Sequence, residues 1–385
     1  MQQEQRAGAT DRRSDFVFSD DQLDLRRTVR RYLAEQVGRD LLRSVVDGDV
    51  GSDPALWTRM GGALGLAGTL ISEEYGGQGL AVLDALVIAE EMGRALVPVP
   101  WLSTNLAARA LQSSHSESQR SRWLPTLAVV SRVAAFAHGE GDLGWASPVT
   151  ARVEQDRSGR SLLTGAKTFV LDAPIADVLL VSAADESGGT QLLIVRAEQP
   201  EVRVQRLQSI DPLRTLGDVE FSGAEAEVLD VDSAAAVCAQ LELLAGCLLS
   251  WEMVGAAERC LEMATDYALT RHQFGRPIGS FQAIKHRLAD MLIQVETARS
   301  AAYRAGWDLG GDATAEANTH MALAYCGEAL IEVAAENIQV HGGMGFTWEH
   351  DAHFYLRRAR SDLGILGSPS HHRRILAQHL GLTSR

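Results

Sequence analysis

Cysteine is scarce in this sequence, and basic residues are outnumbered by acidic ones. Only Cys238, Cys247, Cys260 and Cys326 occur in 385 residues. None stands at a CxxC spacing or is paired with histidine, so neither a disulfide framework nor a thiolate metal site is expected. All four fall in apolar helical patterns and read as small core residues of a reduced compartment. Acids exceed bases by 50 to 36, a formal net charge of −14. That balance argues against nucleic acid, whose phosphates demand a basic face. It leaves room for an anionic ligand, because a locally placed arginine can oppose the global charge. No stretch of about 18 uninterrupted apolar residues is present, so no membrane span is expected. Residues 1–15, "MQQEQRAGATDRRSD", lack the apolar core of a secretory signal. They are expected to be a disordered lead-in to a cytoplasmic protein.

What is present is enough apolar matter for a large core, 46% of 385 residues, divided among two or three domains. From Phe16 the pattern is helical. Ser19, Asp20 and Asp21 offer an N-cap and an acidic first turn ahead of Leu23, Val29, Leu33 and Val37. A second helix carries Leu56, Trp57, Met60 and Leu64 and stops at Gly65, and another runs from Leu83 to Leu96. The glycine-rich loop from Glu73 to Gly79 lacks the Gly-Lys-Ser/Thr ending of a phosphate loop. Between about 131 and 232 the period becomes two, with β-rich runs such as 178–181, 192–195 and 219–221 punctuated by Gly and Asp. From 233 onward the helical period returns, with a break at Gly310, Gly311 and Asp312. Expected domains are therefore 16–130 helical, 131–232 antiparallel β and 233–385 helical.

One stretch organises the chain. Arg271 to Gln282, "RHQFGRPIGSFQ", interrupts two long helical patterns. Gly275 accepts positive φ and Pro277 removes a donor, so a turn is expected there. It would project Arg271 and Gln273 from a rigid helix end, where a guanidinium can grip a phosphate through two parallel bonds. Phe274 offers a face for a planar ring. The run "RHQFGRPIGSFQAIKHRLADM" from Arg271, and "QVHGGMGFTWEHDAHFYLRRAR" from Gln339, resemble the signatures of the acyl-CoA dehydrogenase family. So do "GLAGTLISEEYGGQGL" and "IAEEMGRAL" in the first third. The likeness extends from about residue 16 to 382. It implies an α+β fold: an N-terminal helical domain, a central antiparallel β domain and a C-terminal four-helix bundle.

The same resemblance implies FAD. Arg271, Gln273 and Phe274 match positions holding its adenosine-pyrophosphate part, and Phe281 and Gln282 match adenine-side positions. Gln339, Gly342 and Gly343 match a loop that meets this half from the other subunit. Paired glycines let backbone N–H groups approach a phosphate closely. The β-domain half departs from the pattern. The loop that touches flavin and substrate is Ala137 to Gly144, without its usual hydroxyl but with Glu140 and Asp142. Phe169 keeps an aromatic ring for the flavin, whereas Leu171 stands where a threonine hydroxyl is usual.

The base departs further. Oxidising an acyl thioester needs a carboxylate for the α-proton while hydride leaves Cβ. Leu366 occupies the usual position of that glutamate, and Ala245 and Gly246 occupy the Glu-Arg pair of a minority branch. Glu252 is the remaining weak candidate, two turns along the helix from Ala245. Its other reading is a structural ion pair. Asp362, one turn before Leu366, ranks below it. Trp251, Met253 and Leu249 suggest a bulky apolar pocket. The tail Ser370 to Arg374 reads as a cationic helix face. Adjacent His371 and His372 point different ways, so no metal is expected.

The chain therefore resembles the base-lacking subunit type of actinobacterial heteromeric acyl-CoA dehydrogenases. The implied role is to complete the FAD site of a homologous partner in an α2β2 tetramer that dehydrogenates an acyl-CoA. Electron-transfer flavoprotein or a similar acceptor would take the electrons, in lipid metabolism. Alternatives are a self-sufficient homotetramer using Glu252, a flavin monooxygenase on the same fold, and a structural partner without flavin.

Overall fold

Ser19 starts the first helix as expected. Its hydroxyl accepts from the Gln22 N–H at 3.2 Å while its own N–H donates to the Gln22 side chain at 3.1 Å, which satisfies two orphan donors reciprocally. The computed structural model describes residues 17–48, 50–309 and 314–382. The expected lead-in and the expected break at Gly310 to Asp312 lie outside the described residues.

The N-terminal block comprises α1 (Asp20–Gln36), α2 (Arg39–Asp47), α3 (Pro54–Leu64), α4 (Val82–Ala95), α5 (Trp101–Gln112) and α6 (Glu117–Ala128). Helix α3 has Asp53 as its cap, Pro54 in its first turn and Gly65 at φ +63° beyond its end, the expected asymmetry of start and stop signals. Helix α5 is buried on every side over residues 101–108.

The middle block is a 7-stranded sheet of β1 (Ala134–Ala137), β2 (Arg152–Gln155), β3 (Ser161–Leu171), β4 (Val178–Ala184), β5 (Thr190–Arg196), β6 (Val202–Arg206) and β7 (Leu216–Val228). Pairing runs β4-β5-β7-β3-β2, and β2 returns to β4 at Arg152 and Ala184, closing a ring. The sheet is not purely antiparallel as expected. Strand β1 lies parallel to β4, with Ala134 opposite Val178. Leu163, Leu179, Leu193 and Phe221 fill the interior.

The last block contains α7 (Ala234–Thr270), the hairpin β8 (His272–Gln273) and β9 (Arg276–Pro277), α8 (Gln282–Asp308), α9 (Ala315–His341), α10 (Gly343–Phe346), α11 (Ala352–Ile365) and α12 (Pro369–His379). Helix α7 is its axis, touching α4, α8, α9 and α11. By length and composition it could cross a membrane, but most of its apolar stretch is buried inside the protein. A helix apolar all round suits the centre of a large core. Charge pins the first block onto this one. Glu90, 1% exposed, meets Arg26 at 2.8 Å and also Arg299, while Arg30 grips Glu91 with two bonds of 2.8 Å.

Candidate active site and cofactor face

The expected turn forms at the end of α7. Arg271 is extended, and the hairpin loop places Phe274 at φ +54° and Gly275 at φ +78°. Two successive positive φ values make a tight I′ turn. Phe274 is 91% exposed, so a large ring is held in water by a conformation unfavourable to it. Phe281 meets that ring edge-on at 6.1 Å, and the Arg276 guanidinium lies 4.1 Å over Phe281. Arg271, Gln273 and Gln282 are exposed beside them.

The second glycine motif ends α9 at the same end of the bundle. Tyr267, one turn before Arg271, stacks on His341 at 4.4 Å. The two motifs therefore sit side by side on one chain. Gly342 has φ +59°. At Gly343 an added side-chain carbon would meet nothing of this chain, so its own packing gives no reason for a glycine. Close approach of a ligand does. Exposed arginine, amide, aromatic ring and bare backbone fit the adenosine-pyrophosphate end of a dinucleotide.

The flavin-ring end does not fit in this chain. Phe169 does face outward, 38% exposed at φ +53°. Leu171 brings no hydroxyl, and the neighbouring Thr168 hydroxyl donates to the Gly141 carbonyl at 2.8 Å. Glu140 is occupied too, accepting from Lys167 Nζ at 2.6 Å and from the Thr150 N–H at 2.7 Å. Burial pushes this carboxylate up, but the Lys167 and Thr150 bonds outweigh it and hold it below its ordinary range. Burial alone lowers the Lys167 ammonium. Phe169, Leu171, Ala245, Leu249 and Leu366 close around a cavity of about 20 Å³. Such a void holds one water at most, and none of its lining residues is a carboxylate. The two expected base positions, Ala245 and Leu366, thus converge in space and are both apolar.

Residues 19–130 match the model of the acyl-CoA dehydrogenase N-terminal domain, and residues 245–381 that of the acyl-CoA dehydrogenase C-terminal domain. The chain belongs to the acyl-CoA dehydrogenase family. It is 33% identical over 345 residues to acyl-CoA dehydrogenase IpdE2 of Mycobacterium tuberculosis, covering 90% of this chain and 92% of that one. Among solved structures it is similar to the ChsE4-ChsE5 complex from Mycobacterium tuberculosis, with TM-score 0.87, 30% identity and coverage of 97% and 100%. It is also similar to a variant of the Tcur3481-Tcur3483 steroid ACAD, with TM-score 0.85, 28% identity and coverage of 94% and 98%. Acyl-CoA dehydrogenases are FAD-dependent oxidoreductases acting on CH-CH bonds.

In this member, Glu252 lines a separate polar cavity of about 20 Å³ together with Asp172, Arg214 and Arg358. It is ion-paired with Arg214, both side chains being under a tenth exposed. Arg214 also stands 3.2 Å from Asp362 across poorly aligned atoms, and Arg358 pairs with Asp211. Asp172 accepts from the Ser103 hydroxyl at 2.6 Å. Burial raises Asp362 to about 7 against the pull of Arg214 and Arg358, and raises Asp172 to about 6. The sequence reading named Glu252 and Asp362 but missed Arg214, Asp211, Arg358 and Asp172. These residues come from separate blocks, and no local pattern links them.

Two further expectations need correction. Of the residues expected to line a bulky pocket, Leu249 lines only the 20 Å³ cavity. Trp251 instead stacks on Tyr303 at 4.3 Å and donates to the Ala302 carbonyl at 2.9 Å, inside the helical core. Nor is the tail uniformly cationic. His372 is buried against His320 with Nδ1 atoms 2.9 Å apart, and burial lowers the two to about 3 and about 4. They are neutral at ordinary pH. No group of three metal-ligating side chains occurs among the described residues.

Proposed function

We propose that this chain is the base-lacking subunit of a hetero-oligomeric acyl-CoA dehydrogenase and completes the FAD site of a catalytic partner. One observation carries the reading. Both base positions of the family, Ala245 and Leu366, line one apolar cavity of about 20 Å³, while the adenosine-side residues remain open at the surface. An apolar side chain accepts no proton at any pH, so this subunit supplies binding rather than proton abstraction. Arg271 and Gln273 hold the pyrophosphate, Phe274 and Phe281 flank the adenine side with Gln282, and Gln339, Gly342 and Gly343 supply close backbone. Phe169 marks this chain's own ring position, which is left unused, and the partner supplies the working ring site. FAD held by these residues would supply the acceptor for the hydride that leaves Cβ of an acyl-CoA.

Likeness to the ChsE4-ChsE5 complex supports a partner that is itself an acyl-CoA dehydrogenase subunit. Likeness to a steroid ACAD supports a bulky, steroid-derived acyl group as the substrate class. An α2β2 tetramer in the cytoplasm, passing electrons to electron-transfer flavoprotein or a similar acceptor, completes the proposal. A self-sufficient enzyme using Glu252 draws no support from the geometry, since Glu252 is spent on Arg214. The test is the flavin content of the chain purified alone and after co-expression with its homologous partner. The expected result is little flavin alone and about one FAD per pair of chains together. One FAD per subunit, with oxidation of an acyl-CoA by the chain alone, would sink the proposal.

A further inference from the structure

Beside the crossing of α4 and α7 lies a chamber that the flavin reading does not use. It measures about 520 Å³, within the range of small-molecule sites. Helices α1, α2, α4, α7 and α11 form its walls. None of its lining residues borders the cavities at Leu366 or Glu252. Close backbone contact of the two helices lies between. A side-chain carbon at Gly93 of α4 would stand 2.0 Å from the Glu252 carbonyl oxygen, and one at Gly255 of α7 would stand 1.8 Å from that of Glu90. Glu252 precedes this contact along α7, and Arg259 follows it. The chamber floor is apolar, built from Leu33, Val37, Leu42, Met263 and the ring of Tyr355, whose hydroxyl is spent on the Arg94 carbonyl at 2.8 Å.

Arginine rims that floor, from Arg30, Arg39, Arg94 and Arg259. Two carboxylates line the chamber as well, and both are already held. Glu91 takes two bonds of 2.8 Å from Arg30. Asp351 accepts from Arg43 at 3.0 Å and meets Arg39 at 3.4 Å. Behind the rim, Glu262 pairs with Arg94 and Arg259, and Glu258 pairs with Arg30 and Arg94. Exposure separates the two signs. The side chains of Arg39 and Arg259 are 52% and 39% exposed, whereas that of Glu91 is 1% exposed. Among the described residues Arg39 meets its one carboxylate through Nε, and Arg259 meets its one through Nη1. Each keeps part of its guanidinium fork for another acceptor. Such a rim over an apolar floor favours an anion with an apolar body, whose head gains charge-assisted bonds while its tail leaves water. A cation meets repulsion there, and a neutral chain forgoes the charge-assisted bonds.

We infer that this chamber is a binding site for a small amphipathic carboxylate, with its head on the guanidiniums of Arg39 and Arg259 and its apolar body on Leu33, Val37 and Met263. None of the residues assigned to flavin lines it, so its failure would leave the proposed function standing.

Calorimetry on the full chain tests the site with octanoate, octanol, octylammonium and inorganic phosphate. Octanoate should bind roughly tenfold or more tightly than each of the other three, because only it joins a charge-assisted head to an apolar tail. Arg39→Gln together with Arg259→Gln removes the two open guanidiniums, whose ion pairs face solvent and add little to the fold. This double variant should lower octanoate affinity roughly tenfold or more and leave octanol unchanged. Ala34→Trp fills the chamber from an exposed lining position and should weaken octanoate by a similar factor. Octanol, octylammonium or phosphate binding as tightly as octanoate would overturn the inference. So would octanoate affinity unchanged in either folded variant, or no binding of octanoate.

Discussion

Replacing Glu252 with Gln separates a structural carboxylate from a catalytic one. Glu252 and Arg214 are 8% and 7% exposed at their side chains. Removing one charge of a buried pair leaves the other uncompensated, which costs about 3–5 kcal/mol. Arg214 keeps Asp362 as a second acid at 3.2 Å, so the loss should fall at the lower end, about 3 kcal/mol. Removing both charges with apolar residues of similar volume, Arg214→Met with Glu252→Leu, should recover most of that loss, because two desolvation penalties vanish together. The assay is urea unfolding of the subunit pair, with acyl-CoA turnover measured at a temperature where every variant is folded. Turnover per bound flavin should be unchanged in Glu252→Gln. A variant that unfolds like the parent yet has lost turnover would refute the ion-pair reasoning and restore Glu252 as a base.

Three other outcomes follow from the same geometry. Arg271→Ala should lower FAD affinity by roughly 10- to 100-fold in the co-expressed pair, the worth of one charge-assisted bond of about 1.5–3 kcal/mol. Its circular dichroism should not change, since Arg271 is exposed and flavin fluorescence reads the release. Leu366→Glu puts a carboxylate into an apolar wall, with no partner in the 20 Å³ cavity. It should cost about 2–4 kcal/mol, seen as a lower melting temperature, and should not give the chain turnover of its own. Asp362, raised to about 7, and Asp172, raised to about 6, bind protons more tightly folded than unfolded. Their contribution is therefore present at low pH and lost as pH rises from about 4 to 7. His320 and His372, lowered to about 4 and about 3, act in the opposite sense and lose stability as pH falls below about 6.5. Asp362→Asn should accordingly flatten the fall in unfolding free energy between pH 6 and 7, and an unchanged slope would contradict the assigned shift.

Much of this protein was legible in one dimension because the signals are local. Ser19, Asp53 and Gly65 set helix ends through bonds spanning a few residues. The turn at Phe274 and Gly275 follows from one glycine and one proline between two periodic runs, and it fixes Arg271 and Gln273 whatever surrounds them. The missing base was also legible, since Leu366 and Ala245 announce themselves by being apolar. Tertiary structure alone decided what depends on residues far apart. It set Arg271 beside Gly342 through Tyr267 and His341, and brought Leu366 and Ala245 to the wall of one 20 Å³ cavity. It tied Glu252 to Arg214 from a loop 38 residues upstream. It also made His372 of the tail a neutral partner of His320 while Arg373 and Arg374 stay exposed, because burial, not composition, sets whether an imidazole carries charge. Sequence determines which groups are available, and the fold determines their neighbours and their water, which between them decide charge and chemistry.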